Sequence, residues 1–295
     1  MQKKRSNLSD SRGNKVGIGF FKCCMALFGQ RFCACFVYFV AVFYALFDWK
    51  AFRSASQYLR GRFSNSGWLA LRWRFYRMAV AQGQVLVLAH WLRTGHSVPI
   101  VEHDKEILHR MLTKDAKGLI LLTSHAGCWQ AALSYLETFG RRVNLLLQVN
   151  RNSGIAAMFK GKLFNVIDND APFGGLLECI SAIENGEIVC IMGDRQPSDV
   201  EESMPLTFNG NELNVPVSPW LLAARCKCPI VPIFTMMTGL ATGIDFYFTR
   251  PIEIEYDIPR KPKPEHFREY VRQYSMTLER MAQAYPYQIF HYKTN

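Results

Sequence analysis

Beyond about residue 100, short apolar runs alternate with longer segments in which apolar side chains recur every three or four positions. The short runs predict buried strands and the longer segments predict helices. The predicted strands are Gly118–Thr123, Arg142–Gln148, Ile188–Met192, Ile230–Met236 and Ile252–Tyr256. The predicted helices are Trp129–Phe139, Gly154–Phe164, Gly174–Glu184, Ser218–Cys226 and Glu265–Ala284. This alternation predicts a layered αβα domain with a largely parallel, mixed sheet over residues 101–295.

Two local signals help to place boundaries within this domain. Ser218 followed by Pro219 is typical of a helix start, where a capping residue precedes a proline in the first turn. Asn209-Gly210 predicts a tight turn between two elements.

The first fifty residues contain a long apolar stretch, Phe32–Phe47, of sixteen residues without a charge. A membrane span needs about twenty apolar residues, so this length is marginal. A secretory signal is disfavoured because the stretch begins late in the chain, whereas a buried core helix is compatible with its length. Aromatic residues crowd the stretch and basic residues flank it, so we prefer a helix that spans the membrane or lies in its interface. We therefore assign residues 1–50 to a membrane anchor.

Residues 53–95 combine apolar and arginine side chains at helical spacing. We predict that residues 51–100 form an amphipathic, basic helical segment. Two interpretations remain open, namely a helix at the membrane interface and a packed helix whose arginines are solvated.

The net charge of +11 is concentrated at the start of the chain, because residues 1–100 contain fifteen Lys and Arg but only two acidic residues, Asp10 and Asp48. A basic and aromatic-rich segment suits an anionic membrane surface. We expect no nucleic-acid partner, because the basic residues are mixed with long apolar runs and no nucleic-acid-binding motif is present. The hydrophobic fraction of 49% excludes a chain that is disordered throughout.

The nine cysteines do not form a disulfide or metal-binding pattern, since no pair has C-x-x-C spacing. Cysteines among apolar neighbours indicate buried thiols and a reducing compartment. Glu102, His103 and Asp104 lie together, but without a fourth ligand at suitable spacing they indicate a solvated turn. We therefore predict no metal site.

Candidate chemistry lies where two predicted strands end. Thr123-Ser-His-Ala-Gly-Cys-Trp-Gln130 joins a buried strand to a helix, and His125 in this loop is suited to general base catalysis near neutral pH. Gly193, Asp194 and Arg195 follow Ile188–Met192, and the carboxyl ends of strands are where α/β folds place ligands. A structural histidine and a local ion pair are the alternatives.

Several segments together resemble the lysophospholipid acyltransferase superfamily, in particular the branch of bacterial lipid A biosynthesis (lauroyl/myristoyl) acyltransferases. The segments are SHAGCWQ at 124–130, GDR at 193–195, PLTFNG at 205–210, VPVSPWLLAARCKCPIVPIF at 215–234 and AYPYQIFHY at 284–292, together with the N-terminal apolar anchor.

The resemblance implies that His125 removes a proton from an acceptor hydroxyl or amine, which then attacks an acyl thioester. It places Gly193, Asp194 and Arg195 in the substrate-binding motif, with Arg195 near a phosphate. The family's acid five residues after the histidine is replaced here by Gln130, which can hold one imidazole tautomer but lends no negative charge. Asp194 and Glu178 are candidates for a substitute acid. Cys128 as a nucleophile is a further alternative.

The resemblance therefore predicts acyl transfer from acyl carrier protein or a coenzyme A thioester to a membrane lipid acceptor, such as a lipid A-type glycolipid, an amino-acid lipid or a lysophospholipid. It implies no cofactor beyond this co-substrate, and it implies the cytoplasmic face of the inner membrane as the location. Two alternatives remain, a catalytically impaired homologue that binds lipid or acyl carrier, and an acyl-thioester hydrolase.

Overall fold

The computed structural model describes residues 15–64, 66–114, 117–147, 164–194 and 202–290. Its α-helices are α1 (Lys15–Phe47), α2 (Trp49–Arg62), α3 (Trp68–Arg93), α4 (Lys105–Lys114), α5 (Trp129–Leu136), α6 (Leu176–Glu184), α7 (Ser218–Cys226) and α8 (Arg268–Ala284). Its strands are β1 (Ile100–His103), β2 (Leu119–Thr123), β3 (Val143–Leu147), β4 (Phe164–Asp168), β5 (Ile188–Met192), β6 (Ser203–Phe208), β7 (Asn211–Pro216), β8 (Ile230–Thr238) and β9 (Gly243–Phe248).

Seven strands form one sheet in the order β1-β9-β8-β2-β5-β3-β4. Every neighbouring pair in this sheet is parallel except β8 and β9. The remaining two strands, β6 and β7, form a separate antiparallel hairpin. The predicted largely parallel, mixed sheet is therefore confirmed.

The central strand β2 shows why the domain has three layers. All five of its residues are buried, and successive side chains of a strand point to opposite faces. Ile120 and Leu122 belong to the core that includes residues of α6, α7 and α8. Leu119 and Leu121 belong to the core that includes residues of α5. Helices therefore cover both faces of the sheet, which confirms the αβα architecture.

Several predicted boundaries differ from the structure for local reasons. The predicted strand Ile252–Tyr256 is wrong, because only Ile252 makes a bridge, to Ile230 on β8. Residues 253–256 form no ladder, and β8 pairs with β9 only over Ile233–Thr238, so Ile252 meets β8 just beyond the end of that ladder. Helix α6 begins at Leu176 rather than Gly174, because Gly174 and Gly175 have positive φ angles of 65° and 71°.

Other differences concern helix starts and strands that the pattern did not predict. Helix α7 counts Ser218 as its first residue, with Val217 at the N-cap position. Helix α8 begins at Arg268, after a 3-10 turn at Pro264–Phe267. Of the predicted helix Gly154–Phe164, residues 154–163 lie outside the described residues and Phe164 begins β4. Strands β1, β4, β6, β7 and β9 were not predicted.

The N-terminal helices pack onto the α/β part next to the loop after β2. Helix α1 is kinked at Gly29 and runs along α3, and Gln84 of α3 donates a hydrogen bond to the carbonyl of Ala34. Buried residues of α1 and α3 share one core cluster with Cys128 and Ala131. The division into segments 1–50, 51–100 and 101–295 stays a prediction, although these segments share buried clusters.

The outer side of α1 is apolar and exposed. Phe39 is 75% exposed, and Leu27, Phe43, Leu46 and Phe47 are also exposed. Within the described residues, the segment Gly19–Phe47 is the one helical stretch that is long and apolar enough to cross a membrane.

Candidate active site

The loop 124–128 connects the end of β2 to the start of α5 at the carboxyl edge of the parallel strands. The neighbouring strand β5 ends at Met192, and the next residue, Gly193, donates its backbone N–H to the carbonyl of Thr123 at 2.9 Å. A Cβ atom at Gly193 would lie 2.6 Å from the Leu122 side chain, so a larger residue would displace that side chain. The loops that contain His125 and Asp194 are therefore adjacent.

The carboxylate of Asp194 holds His125 through both its oxygens. Oδ2 accepts the backbone N–H of His125 at 2.8 Å. The imidazole Nδ1 lies 3.0 Å from Oδ1 and 3.3 Å from Oδ2. Because an ionised carboxylate can only accept, this contact assigns a proton to Nδ1 and leaves the basic lone pair on Nε2. The Asp194 side chain is 2% exposed and that of His125 is 27% exposed, so the carboxylate is buried while the ring is reachable.

The backbone of the loop is fixed by two other segments. Cys128 donates its N–H to the carbonyl of Thr235 on β8 at 2.7 Å, and the Thr235 hydroxyl donates back to the carbonyl of Cys128. From the C-terminal segment, Gln288 accepts the N–H of Gly127 and Phe290 donates its N–H to the carbonyl of His125, both at 2.8 Å. These bonds hold His125 from both sides of the loop.

Gly127 is required at the narrowest point of this arrangement. Its φ angle is +60°, and an added Cβ would lie 2.0 Å from the Thr235 carbonyl oxygen. Real atoms do not approach so closely, and positive φ disfavours residues with a Cβ. The sequence motif therefore contains glycine for a steric reason.

Three residues that contribute to the site were not found by sequence reasoning. The side chain of Gln288 bonds both the N–H and the carbonyl of Met237, at 2.9 and 2.8 Å, which anchors the C-terminal segment to β8. Tyr274 of α8 donates its hydroxyl to the carbonyl of Thr123. Thr235 lies within a run read only as a strand. The family-like ending AYPYQIFHY was the one sequence signal that pointed to Gln288.

The phenol of Tyr274, which contacts the end of β2, is uncharged. Complete burial raises its pKa well above the usual value, and the negative charge of Asp194 raises it further. The phenol therefore keeps its proton and serves as a hydrogen-bond donor.

Cys128 is the last residue of the loop, and Gln130 lies in the first turn of α5. Cys128 is completely buried, and loss of solvation raises the pKa of its thiol to about 12. A thiol with this pKa is protonated at neutral pH, which argues against the nucleophile alternative. The thiol lies 3.8 Å from the side-chain oxygen of Gln130.

The remaining predicted residues fall in different places. Arg195 lies outside the described residues. Two residues were candidates for the substitute acid. Asp194 contacts the imidazole, whereas Glu178 is exposed on α6. His103 ends β1, where its Nε2 atom lies 3.6 Å from Asp245. Among the described residues, no group of three or more His, Cys, Asp or Glu side chains is placed to hold a metal ion.

The chain is thus an α/β protein with a histidine at the carboxyl edge of its parallel strands. A buried carboxylate orients this histidine, and such a pair is suited to proton transfer. The sequence profile described as bacterial lipid A biosynthesis acyltransferase matches residues 85–257, more than half of the chain, and the chain belongs to this family. The family match confirms the resemblance drawn from the motifs, and it makes acyl transfer to a lipid the class of activity. His125 and Asp194 both lie within the matched residues.

Among solved structures, the chain is similar to the 1-acyl-sn-glycerophosphate (LPA) acyltransferase PlsC from Thermotoga maritima, with 15% identity and a TM-score of 0.40. The similarity covers 86% of this chain and 95% of that chain. A comparison with curated proteins found no match.

Proposed function

We propose that the chain transfers a fatty acyl group from the thioester of acyl carrier protein or coenzyme A to a hydroxyl or amine of a membrane lipid, with His125 as general base. The observation that carries this proposal is the contact between Nδ1 of His125 and the buried carboxylate of Asp194. A base oriented in this way is ready to accept a proton on Nε2.

The proposed reaction proceeds by direct attack. Nε2 of His125 takes the proton of the acceptor hydroxyl or amine as its oxygen or nitrogen bonds to the thioester carbonyl carbon. Collapse of the tetrahedral intermediate breaks the C–S bond, and the proton on His125 passes to the departing thiolate. The negative charge of Asp194 stabilises the imidazolium between these two steps. No acyl-enzyme forms, which agrees with the buried, protonated thiol of Cys128.

In this assignment Asp194 supplies the acid that position 130 lacks, and a role for Gln130 in orienting the imidazole stays a prediction. The alternative of a non-catalytic homologue was based on the absence of an acid at position 130. A carboxylate contacts the ring from another strand end, so the substitution at 130 does not by itself remove catalysis, and we favour the enzyme.

The proposed location is the cytoplasmic face of the inner membrane. Support comes from the exposed apolar side of α1 and from its packing near the catalytic loop through Cys128. A lipid acceptor held at the membrane surface would then reach His125 without leaving the bilayer. The basic start of the chain also suits an acidic carrier protein as donor.

The fate of a labelled acyl chain separates the three candidate functions. Full-length protein in proteoliposomes is given acyl carrier protein or coenzyme A loaded with a radiolabelled acyl group, with or without added lipid extract. The proposal predicts label in a new lipid only when acceptor lipid is present. Label released as free fatty acid without acceptor would support the hydrolase, and donor binding without any transfer would support the impaired homologue.

A further inference from the structure

Three arginines from α2 and α3 gather around a pair of stacked aromatic rings. The rings of Phe63 and Tyr287 lie 5.8 Å apart with an angle of 24° between their planes. The guanidinium carbons of Arg74 and Arg62 lie 4.0 and 5.5 Å from the centre of the Phe63 ring. That of Arg77 lies 4.2 Å from the centre of the Tyr287 ring. We refer to Arg62, Arg74 and Arg77 as the arginine cluster.

The arginine cluster has no acidic partner, since none of the ion pairs among the described residues includes any of its members. Its hydrogen bonds go to neutral oxygens. Arg62 donates to the carbonyls of Ala282 and Gln283. Arg74 donates to the Phe63 carbonyl and the Ser66 hydroxyl, and Arg77 donates to the Tyr287 hydroxyl. Like charges held together without a counter-charge repel each other, so the cluster favours binding of an anion.

The geometry of the cluster suits a phosphate group. A guanidinium offers five N–H donors in a planar fork, and the bonds above use only some of them. Stacking on an aromatic ring also fixes the plane of the fork before any ligand binds. Arg77 is exposed, while Arg62 and Arg74 are partly buried, so the site opens to the outside.

The surroundings of the cluster indicate that this phosphate belongs to a lipid. Leu69, Trp73 and Arg77 form one exposed stripe at four-residue spacing on α3, with Trp73 61% exposed and Leu69 76% exposed. Trp49 and Trp68 are also exposed, and they flank Arg72, whose guanidinium lies 4.7 and 5.4 Å from their ring centres. Exposed tryptophan beside arginine is typical of a surface at the level of lipid headgroups.

We propose that the arginine cluster binds the phosphate of an anionic phospholipid headgroup at the membrane surface. Tyr287 immediately precedes Gln288, whose carbonyl accepts the N–H of Gly127 in the catalytic loop. The lipid would therefore bind beside residues 287–290, the C-terminal segment whose backbone contacts the loop of His125. The site does not depend on the proposed reaction, because it requires only the cluster and its rings.

Quenching of tryptophan fluorescence by brominated lipid tests the site without any turnover. The full-length protein, in mixed micelles of a nonionic detergent at fixed ionic strength, is titrated with brominated phosphatidylglycerol and, separately, brominated phosphatidylcholine. Wild-type protein is expected to prefer phosphatidylglycerol. The double substitution Arg74→Gln/Arg77→Gln is expected to weaken this preference by about tenfold. The matched control Arg260→Gln/Arg268→Gln removes two exposed charges elsewhere and is expected to keep it.

Two further measurements keep the result interpretable. Arg74→Lys/Arg77→Lys retains the charge but not the planar fork, so it is expected to recover part of the preference. Among the described residues, the Arg77 guanidinium has one hydrogen bond, to the Tyr287 hydroxyl, so Arg77→Gln alone serves if the double variant unfolds. An unchanged preference in a folded Arg74→Gln/Arg77→Gln or Arg77→Gln protein would overturn the proposal. Loss of the preference in the presence of millimolar coenzyme A or inorganic phosphate would assign the cluster to a soluble phosphate and overturn the lipid assignment.

Discussion

Asp194 holds His125 in the orientation that the proposed mechanism requires. One carboxylate oxygen accepts the backbone N–H and the other faces the ring, so the position of the loop and the orientation of the imidazole depend on the same side chain. Removal of such a partner leaves buried donors unsatisfied, at a cost of about 1–3 kcal/mol. Loss of the Asp194 carboxylate would therefore destabilise the loop and also release the imidazole from its orientation.

We predict that Asp194→Asn lowers kcat severely while the KM for the acyl donor changes little. The amide can donate to Nδ1, which would place the ring proton on Nε2 and remove the basic lone pair. In the serine-protease template the equivalent change costs about 10⁴-fold in rate. Steady-state kinetics check this, with Glu178→Gln on the exposed face of α6 as a control of equal charge change. A kcat for Asp194→Asn equal to that of the control would contradict the role of Asp194.

Cys128 leads to the opposite prediction. Since burial raises the pKa of its thiol to about 12, the group is uncharged between pH 6 and pH 9 and should add no thiolate-dependent rise in rate across that range. Cys128→Ala should therefore keep its activity and pH profile, with a modest loss of stability from the small cavity.

Cys190→Ala is the matched control, because burial also raises the pKa of that thiol to about 12. Both variants are compared by thermal unfolding and by the transfer rate. A large loss of activity in Cys128→Ala alone, with equal melting temperatures, would restore the nucleophile alternative.

At the scale of elements, the site depends on contact between segments that are distant in the chain. The loop after β2 is closed on one side by β8, through Thr235, and on the other by residues 288–290. The position of His125 in this structure therefore depends on both supports. Folding of the C-terminal segment onto β8 is therefore part of building the site.

We predict that Gly127→Ala loses both stability and activity, because the new Cβ would lie 2.0 Å from the Thr235 carbonyl oxygen at a φ angle of +60°. Gly140→Ala separates the two causes, since Gly140 has a φ angle of +69° but no atom within 4 Å of an added Cβ. The control should lose only about 1–2 kcal/mol from the left-handed backbone conformation. Chemical denaturation and transfer rates check the pair, and equal losses in both variants would show that contact with Thr235 is unimportant.

The sequence pattern was sufficient for the elements that carry the site. Strands β2 and β5 are short runs that are apolar except for Thr123, and their ends predict that His125 and Asp194 lie at one edge of the sheet. The pattern could not predict which carboxylate meets the imidazole, because that depends on side-chain directions in loops 69 positions apart. It also could not reveal the support from Gln288, since a hydrogen bond to the backbone of β8 leaves no periodic signal.

The missed strands have a common cause. Strands β1, β4, β6, β7 and β9 contain polar or exposed residues that interrupt the apolar pattern. The alternating Ile-Glu pattern of 252–255 suggested a strand, but its buried isoleucines pack into the core and only Ile252 forms a bridge. The spacing of apolar residues indicates which side chains are buried. It does not indicate which strands pair with each other.

At the scale of the whole molecule, the proposed membrane anchor packs next to the loop that contains His125. Helix α1 shares a buried cluster with α3 and with Cys128, and its opposite side is exposed and apolar. We predict that carbonate washing of membranes leaves the full-length protein in the pellet, because burial of this apolar side in lipid does not depend on charge.

Charged substitutions on the exposed side of α1 sharpen this prediction. Phe39→Glu/Phe43→Glu should increase the fraction released, since each change places a charge on the lipid-facing side. Phe173→Glu/Leu177→Glu is the matched control, because these exposed apolar residues lie near the start of α6. Complete release of the wild-type protein, or equal release of the two variants, would contradict insertion through α1.

The rate of acyl transfer by His125→Ala in a single turnover tests the central claim most directly. Excess protein in proteoliposomes is mixed with labelled acyl thioester and acceptor lipid, and labelled lipid product is followed with time. If His125 is the base, the variant binds the donor normally and forms no product above the rate without protein. Product formation by folded His125→Ala protein at the wild-type rate would contradict the account.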